Sequence, residues 1–235
     1  SVDYSQIELR LLAHMSGEPF LIDAFARGED IHTVTAAIIH GVPREEVTAD
    51  MRRVAKTVNF GIIYGMQAHG LSRDTGLPRQ EAQRFIDQYW ANLPRVKQYF
   101  DGTLGFGLKH GYVESIYGRR RILGDLTSAN YSRRAAAERM AVNMPLQGSA
   151  SDIMKIAMIR LDEELARSGL RAKLILQVHD ELVLEVDRPE VAAVAELVQS
   201  VMEGAAELSV PLETEVCAGP NWDELTPLPK VTVHA

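Results

Sequence analysis

The stretch AKLILQVHDELVLEV, residues 172–186, decides the fold class. Ala172 to Val178 and Leu182 to Val186 are short apolar runs with polar residues at alternating positions, the period of half-buried strands. His179, Asp180 and Glu181 join them with no room for more than a tight turn, so the segment reads as a β-hairpin with two acids at its tip. Downstream, the pattern predicts an amphipathic helix over Pro189 to Leu208 and a strand over Leu212 to Ala218. Upstream it predicts two helices, Tyr131 to about Met144 and Gln147 to Arg167, separated by Pro145, because proline lacks the N–H that a helix interior needs. A brief β-like segment, Tyr112 to Tyr117, precedes them. The chain opens with polar and apolar residues alternating over Ser1 to Gln6, as in a short strand, and then Ile7, Leu9, Leu11, Leu12 and Met15 take helical spacing. Gly17, Gly28, Gly41, Gly65, Gly76 and Pro94 punctuate further helical stretches as far as about Lys109. Helices and antiparallel strands in separate blocks predict an α+β fold.

Composition narrows the class of protein. The 235 residues are 46% hydrophobic and 24% charged, ordinary globular material, with neither an internal repeat nor a low-complexity tract. One cysteine, Cys217, cannot form an internal disulfide, which fits a reducing cytoplasm. No apolar run reaches the ~18 residues of a membrane span, and the acidic opening SVDYSQIELR is not a signal peptide. A net charge of −7 argues on average against a polyanion partner. The average hides an asymmetry, because Lys109 to Arg139 holds seven Lys and Arg against three acids, whereas from Asp162 onward acids outnumber bases. That distribution suits one basic surface for a polyanion on an acidic body that collects cations, and it also suits a solvated charged face.

Three constellations carry candidate chemistry. Asp3 and Asp180 stand at strand ends far apart in sequence, and Asp180 with Glu181 concentrates negative charge that a Mg²⁺ ion would relieve. An exposed turn is the plainer reading of Asp180. Arg52, Lys56, Phe60 and Tyr64 follow one another at four-residue steps, a slowly spiralling helical stripe of two cations and two aromatics. Such a mixture suits a surface that meets phosphates at one end and a base at the other. Arg139, Asn143 and Gln147 repeat the step with side chains able to donate to base edges, or simply to water on a helix surface.

DYSQIELR (Asp3 to Arg10), RRVAKTVNFGIIYG (Arg52 to Gly65) and QVHDELVLEV (Gln177 to Val186) resemble, in order and spacing, motifs A, B and C of family A DNA polymerases of the bacterial repair kind. The resemblance extends through YGRRR (Tyr117 to Arg121) and Arg133 to Lys155, so it covers essentially the whole chain. It implies a right-hand polymerase fold with a helical fingers subdomain (11–130) inserted in an antiparallel-sheet palm (1–10 and 131–235). The implied activity is template-directed addition of deoxynucleotides to a primer 3′ end, on a primer–template DNA, with dNTP as substrate and two Mg²⁺ ions (Mn²⁺ a substitute).

By the same resemblance Asp3, Asp180 and the backbone carbonyl of Tyr4 are metal ligands, and Glu181 is an accessory acid. Arg52 and Lys56 grip the triphosphate, with Lys56 also a general acid toward pyrophosphate. Phe60 and Tyr64 face the incoming sugar and templating base, Gln6 and His32 join the nucleotide contacts, and Glu8 with Tyr64 fills the space a ribose 2′-hydroxyl needs. Arg134, Arg139, Asn143, Gln147 and His179 fall among the primer–template contacts. The resemblance places the thumb and first palm strands upstream, so a partner polypeptide carrying them is expected, as is a bacterial cytoplasm with the nucleoid at hand. A nuclease using two metals does not account for the stripe or for Glu8. A catalytically silent DNA-binding fragment has no reason to keep Asp3, Arg52, Lys56 and Asp180.

Overall fold

A computed structural model describes residues 1–229, so the palm assignment of residues 230–235 lies outside the described residues. The fold is α+β, as the strand and helix blocks predict, and it forms two compact units. Among the described residues, one unit holds Ser1–Glu8 and residues 150–229; the other is Leu9–Ser149.

The first unit is built on a five-stranded sheet. Its strands are β1 (Val2–Tyr4), β4 (Ala172–Val178), β5 (Glu181–Val186), β6 (Thr214–Ala218) and β7 (Thr226–Pro227), in the order β4-β5-β1-β6-β7. Every neighbouring pair is antiparallel. The short β1 alternates buried, exposed, buried. Val2 and Tyr4 therefore face the core and Asp3 the other side. Helix α9 (Val191–Glu203) closes the core over β1 and β6 with Val194, Val198 and Met202, a stripe at helical spacing. Tyr4 is buried there, and its hydroxyl donates to the Met202 carbonyl at 2.7 Å. This bond ties the strand that bears Asp3 to the end of α9.

The second unit is helical: α1 (Ile7–Ser16, which begins in the first unit), α2 (Pro19–Ala26), α3 (Ile31–His40), α4 (Ala49–Ile63), α5 (Ala68–Thr75), α6 (Arg79–Asn92) and α7 (Pro94–His110). Helices α3 and α4 pack together through Val34 and Ile39 on one and Val54, Ala55, Val58 and Ile62 on the other. Thr48 caps α4 by accepting from the Met51 N–H. A hairpin of β2 (Tyr112–Glu114) and β3 (Arg120–Ile122) follows, with Val113 in a cluster with Leu123, Leu126, Ala137, Ala141 and Met144.

Four expectations are corrected. The two helices expected on either side of Pro145 are one, α8 (Tyr131–Ser168). Pro145 is itself buried beside buried Met144 and Leu146, and the Ser149 hydroxyl donates to its carbonyl at 2.5 Å, so packing overrides the lost backbone bond. The β-like segment ends at Glu114 and pairs with β3, which carries no apolar alternation to announce it. Glu181 is the first residue of β5 and not part of the turn, which His179 makes in the left-handed region (φ 53°) with Asp180. The helix expected to reach Leu208 stops at Gly204, and its first residues form a 3₁₀ turn, Arg188–Glu190.

Replacing Tyr4 by Phe removes the hydroxyl and leaves the Met202 carbonyl without that donor. Denaturant unfolding should report a loss of about 1–2 kcal/mol, the usual cost of a deleted buried hydrogen bond.

Candidate active site

The sheet register builds the acidic site. Asp3 lies directly opposite Glu181 on β5 and opposite Glu215 on β6, so three carboxylates form a row across neighbouring strands. Like charges at paired positions repel. Asp180 sits at the adjoining turn, where its carbonyl accepts from the Tyr4 N–H at 3.0 Å. Burial, then the charges of Asp180, Glu181 and Glu215, push the Asp3 carboxyl up to about 6. Glu181 is held by two donors on one oxygen, the Ser1 hydroxyl and, at 3.0 Å, the Trp222 indole N–H.

Among the described residues no three His, Cys, Asp or Glu side chains are grouped so as to hold a metal ion unaided. What the sheet does bring together is one pair of aspartates, Asp3 on β1 and Asp180 at the neighbouring turn. That is the pattern Mg²⁺ takes when it binds through one or two carboxylates and substrate phosphates, and a cation would relieve the repulsion around Asp3. The residues fit the ion.

In the helical unit Arg52, Lys56 and Tyr64 lie on the open side of α4, with Phe60 half-buried, while Val54, Ala55, Val58 and Ile62 face inward. Arg52 makes a fork-to-fork pair with Asp30, Nε to Oδ2 at 2.6 Å and Nη2 to Oδ1 at 3.2 Å. Asp30 is also the N-cap of α3, accepting from the His32 and Thr33 N–H groups. His32 is buried 5.7 Å from the Phe60 ring. The Asn59 amide accepts from the Thr35 hydroxyl at 3.1 Å, which turns its Nδ2 toward His32 Nδ1, also at 3.1 Å. His32 Nδ1 is thus an acceptor and the proton resides on Nε2. Burial first, with the charges of Arg52 and Lys56, lowers the His32 pKa to about 4 against the pull of Asp30, so the ring is neutral at pH 7.

The same unit joins the stripe to the polar row on α8. Gly65, just past α4, has φ 70°, and an added Cβ would stand 2.9 Å from Arg139 Cγ. The Asn143 amide, with Nδ2 toward the carbonyls, donates to Ile63 and, at 3.2 Å, to Arg139. Arg139 and Gln147 are exposed. Arg134 turns back on its own segment, donating to the Ser128 carbonyl at 2.9 Å and lying over the Tyr131 ring. In the sheet unit, Gln6 adopts the left-handed region (φ 57°) between β1 and α1 with its Oε1 buried and unbonded, Glu8 follows in the first turn of α1, and His179 is exposed.

Several residues of the site escape the sequence patterns. Asp30 carries a legible signal, since an Asp immediately before an apolar helical run marks an N-cap, but nothing in the sequence pairs it with Arg52. Asn59, Glu215 and Trp222 carry no such signal.

A solved structure shares this fold. The POL domain of Pol1 from M. smegmatis, in a structure described as a complex with DNA primer-template and dNTP, superposes with a TM-score of 0.86 at 43% identity, over 91% of this chain and 38% of that one. Residues 1–224 match the family described as DNA polymerase family A, and the chain belongs to that family. Relatives include the thermostable DNA polymerase I of Thermus aquaticus, 53% identical over 94% of this chain and 26% of its own, and the DNA polymerase I of Deinococcus radiodurans, 52% identical over 94% and 23%. The chain spans about a quarter of the length of these relatives.

The raised Asp3 pKa sets a pH dependence. A carboxyl that ionises at 3.8 when unfolded and near 6 when folded binds more protons in the folded chain, so its contribution to stability falls as pH rises from about 4 through 6. Asp3→Asn should remove that decline in metal-free melts between pH 4 and 7, measured as the difference from the unsubstituted chain. The difference isolates Asp3 from His32, whose lowered pKa acts in the opposite sense over the same window.

Proposed function

We propose that this chain carries the nucleotidyl-transfer centre of a DNA-directed DNA polymerase, adding deoxynucleotides to a primer 3′ end with release of pyrophosphate. The reading is carried by one observation, the seating of Asp3 beside the Asp180 turn on adjacent strands in a chain of family A. In this reading residues 11–130 act as fingers and residues 1–10 and 131–235 as palm, while the compact helical unit, Leu9–Ser149, also takes in the first turns of α8.

Asp3, Asp180 and the Tyr4 carbonyl would hold two Mg²⁺ ions, with Mn²⁺ a substitute, and Glu181 stands by as accessory acid. The ions supply activation of the primer 3′-hydroxyl and neutralisation of the departing pyrophosphate. Arg52 and Lys56 bind the triphosphate, and Lys56 delivers a proton to pyrophosphate. Neutral His32 contributes its Nε2–H as a donor, and Gln6 adds a polar contact to the nucleotide. Phe60 and Tyr64 meet the sugar and the templating base, and Glu8 obstructs a 2′-hydroxyl. Arg134, Arg139, Asn143, Gln147 and His179 contact the primer–template.

An upstream polypeptide completes the enzyme in this reading. Its support is the exposed edge strand β4, where Ile175 and Leu176 are 51% and 45% exposed, and an adjoining apolar groove of about 380 Å³ lined by Val186, Val194, Trp222 and Leu225 among others. Among the described residues no helix is long and apolar enough to cross a membrane. The proposed setting is the bacterial cytoplasm, at the nucleoid.

Primer extension with Mg²⁺, dNTP and a labelled primer–template tests the proposal. Asp3→Ala and Asp180→Ala should each cut turnover by about a hundredfold or more while DNA affinity stays within a few fold, because the loss falls on the transition state. Turnover within tenfold of the unsubstituted enzyme would overturn the metal assignment, and DNA binding without any extension would favour a silent fragment. Glu8→Ala should raise kcat/KM for ribonucleotides relative to deoxynucleotides; an unchanged ratio would remove Glu8 from sugar selection.

A further inference from the structure

Asp30 spends its whole carboxylate on local donors. Oδ2 accepts from Arg52 Nε at 2.6 Å, from the Thr33 N–H at 3.2 Å and from the Thr33 hydroxyl at 2.5 Å. Oδ1 accepts from Arg52 Nη2 at 3.2 Å and from the His32 N–H at 3.4 Å. The cap on α3 fixes the carboxylate in place, and the carboxylate then fixes the guanidinium. Two parallel bonds make this a strong and geometrically fixed pairing, and they take up the Nε/Nη2 edge of the guanidinium, leaving its Nη1 end as the edge an anion can reach.

The pair is not sealed. The side chains of Arg52 and Asp30 remain 47% and 34% exposed, so an anion can reach them. Lys56 stands one turn along α4 and is exposed, as Arg52 is. A small anion at Arg52 meets a guanidinium whose charge is already countered by a carboxylate anchored by its own helix cap, and it gains one cation by binding there. A longer polyphosphate reaches Lys56 as well, and the second cation offsets the competition with Asp30.

We infer that Asp30 is a selectivity-determining residue, one that withholds Arg52 from short anions and yields it to a polyphosphate long enough to engage Lys56 at the same time. Pyrophosphate and orthophosphate would be held weakly and a triphosphate would be favoured, which also assists loss of pyrophosphate after the reaction. The inference rests on the proposed role of Arg52 and Lys56 as triphosphate contacts, and adds to it a residue that touches neither phosphate nor base.

The test is direct binding of inorganic pyrophosphate and inorganic tripolyphosphate, measured by calorimetry without metal at fixed ionic strength. It needs no polymerase activity. Asp30→Asn keeps a strong N-cap and removes the charge, and an unchanged melting temperature would show that α3 is intact. The substitution should tighten pyrophosphate binding about threefold or more, the scale of a partly exposed ion pair, and tripolyphosphate binding by less, so that the preference for the longer anion narrows. In an Arg52→Ala background the same substitution should leave the preference unchanged. Should the Asn variant misfold, Asp30→Ser caps through its hydroxyl and must show the same change. A preference that stays the same in Asp30→Asn, through no change, equal tightening or weakening, overturns the inference while leaving the triphosphate role of Arg52 standing, provided Arg52→Ala alone weakens tripolyphosphate binding. If Arg52→Ala alone has no effect, both fall together.

Discussion

Burial of Val2 and Tyr4 on one face of β1 organises the sheet unit, because it holds a register that sets carboxylates of three strands against one another on the other face. Asp3 faces Glu181 and Glu215 across two antiparallel registers, and Asp180 adds its charge from the turn. A sheet left to itself would not place acids at paired positions, because each pair opposes the ladder that holds it. The surrounding structure pins the register instead. Val2 and Tyr4 are buried on the opposite face, the Tyr4 hydroxyl is bonded to the end of α9, and Tyr4 N–H is bonded to the Asp180 carbonyl. Slipping β1 by one residue would expose both apolar side chains and bury Asp3, so the hydrophobic face enforces the electrostatic strain of the other. A divalent cation is the natural counterweight to that strain, and this links the packing of the sheet to its chemistry.

The helical unit solves a complementary problem, that of presenting cations without collapsing them onto the nearest acid. Arg52 is collapsed, onto Asp30, while Lys56 lies exposed on the next turn. Behind them, Thr35, Asn59 and His32 form a buried chain of hydrogen bonds between α3 and α4, which fixes the imidazole tautomer. A buried polar chain of this kind rigidifies the helix pair when each member is satisfied. The helix pair therefore carries a neutral donor, an exposed cation and a restrained one within two turns of α4.

Much of this was legible in the sequence, and the gaps have physical causes. The hairpin around His179 and Asp180, the handover from β1 to α1, and the open stripe on α4 follow from local periodicity. Strand β3 was not legible, because all three of its residues are exposed and Arg120 and Arg121 break any alternation. Pro145 misled because a local rule about helix interiors was outweighed by burial of the ring on α8. The site was legible in its residue types and hidden in its pairings. Glu215 meets Asp3, and Arg52 meets Asp30, only through registers and packing that no window of sequence contains.

The proposed polymerase centre stands or falls on whether Asp3 of β1 and Asp180 of the adjoining turn hold a divalent cation. Mn²⁺ binding followed by electron paramagnetic resonance, in the presence of a nonhydrolysable dNTP analogue, tests it most directly. Bound Mn²⁺ should be lost in both Asp3→Asn and Asp180→Asn but retained in Glu215→Gln, which removes one of the charges facing Asp3 without removing a proposed ligand. Mn²⁺ bound equally well by the two aspartate variants would contradict it.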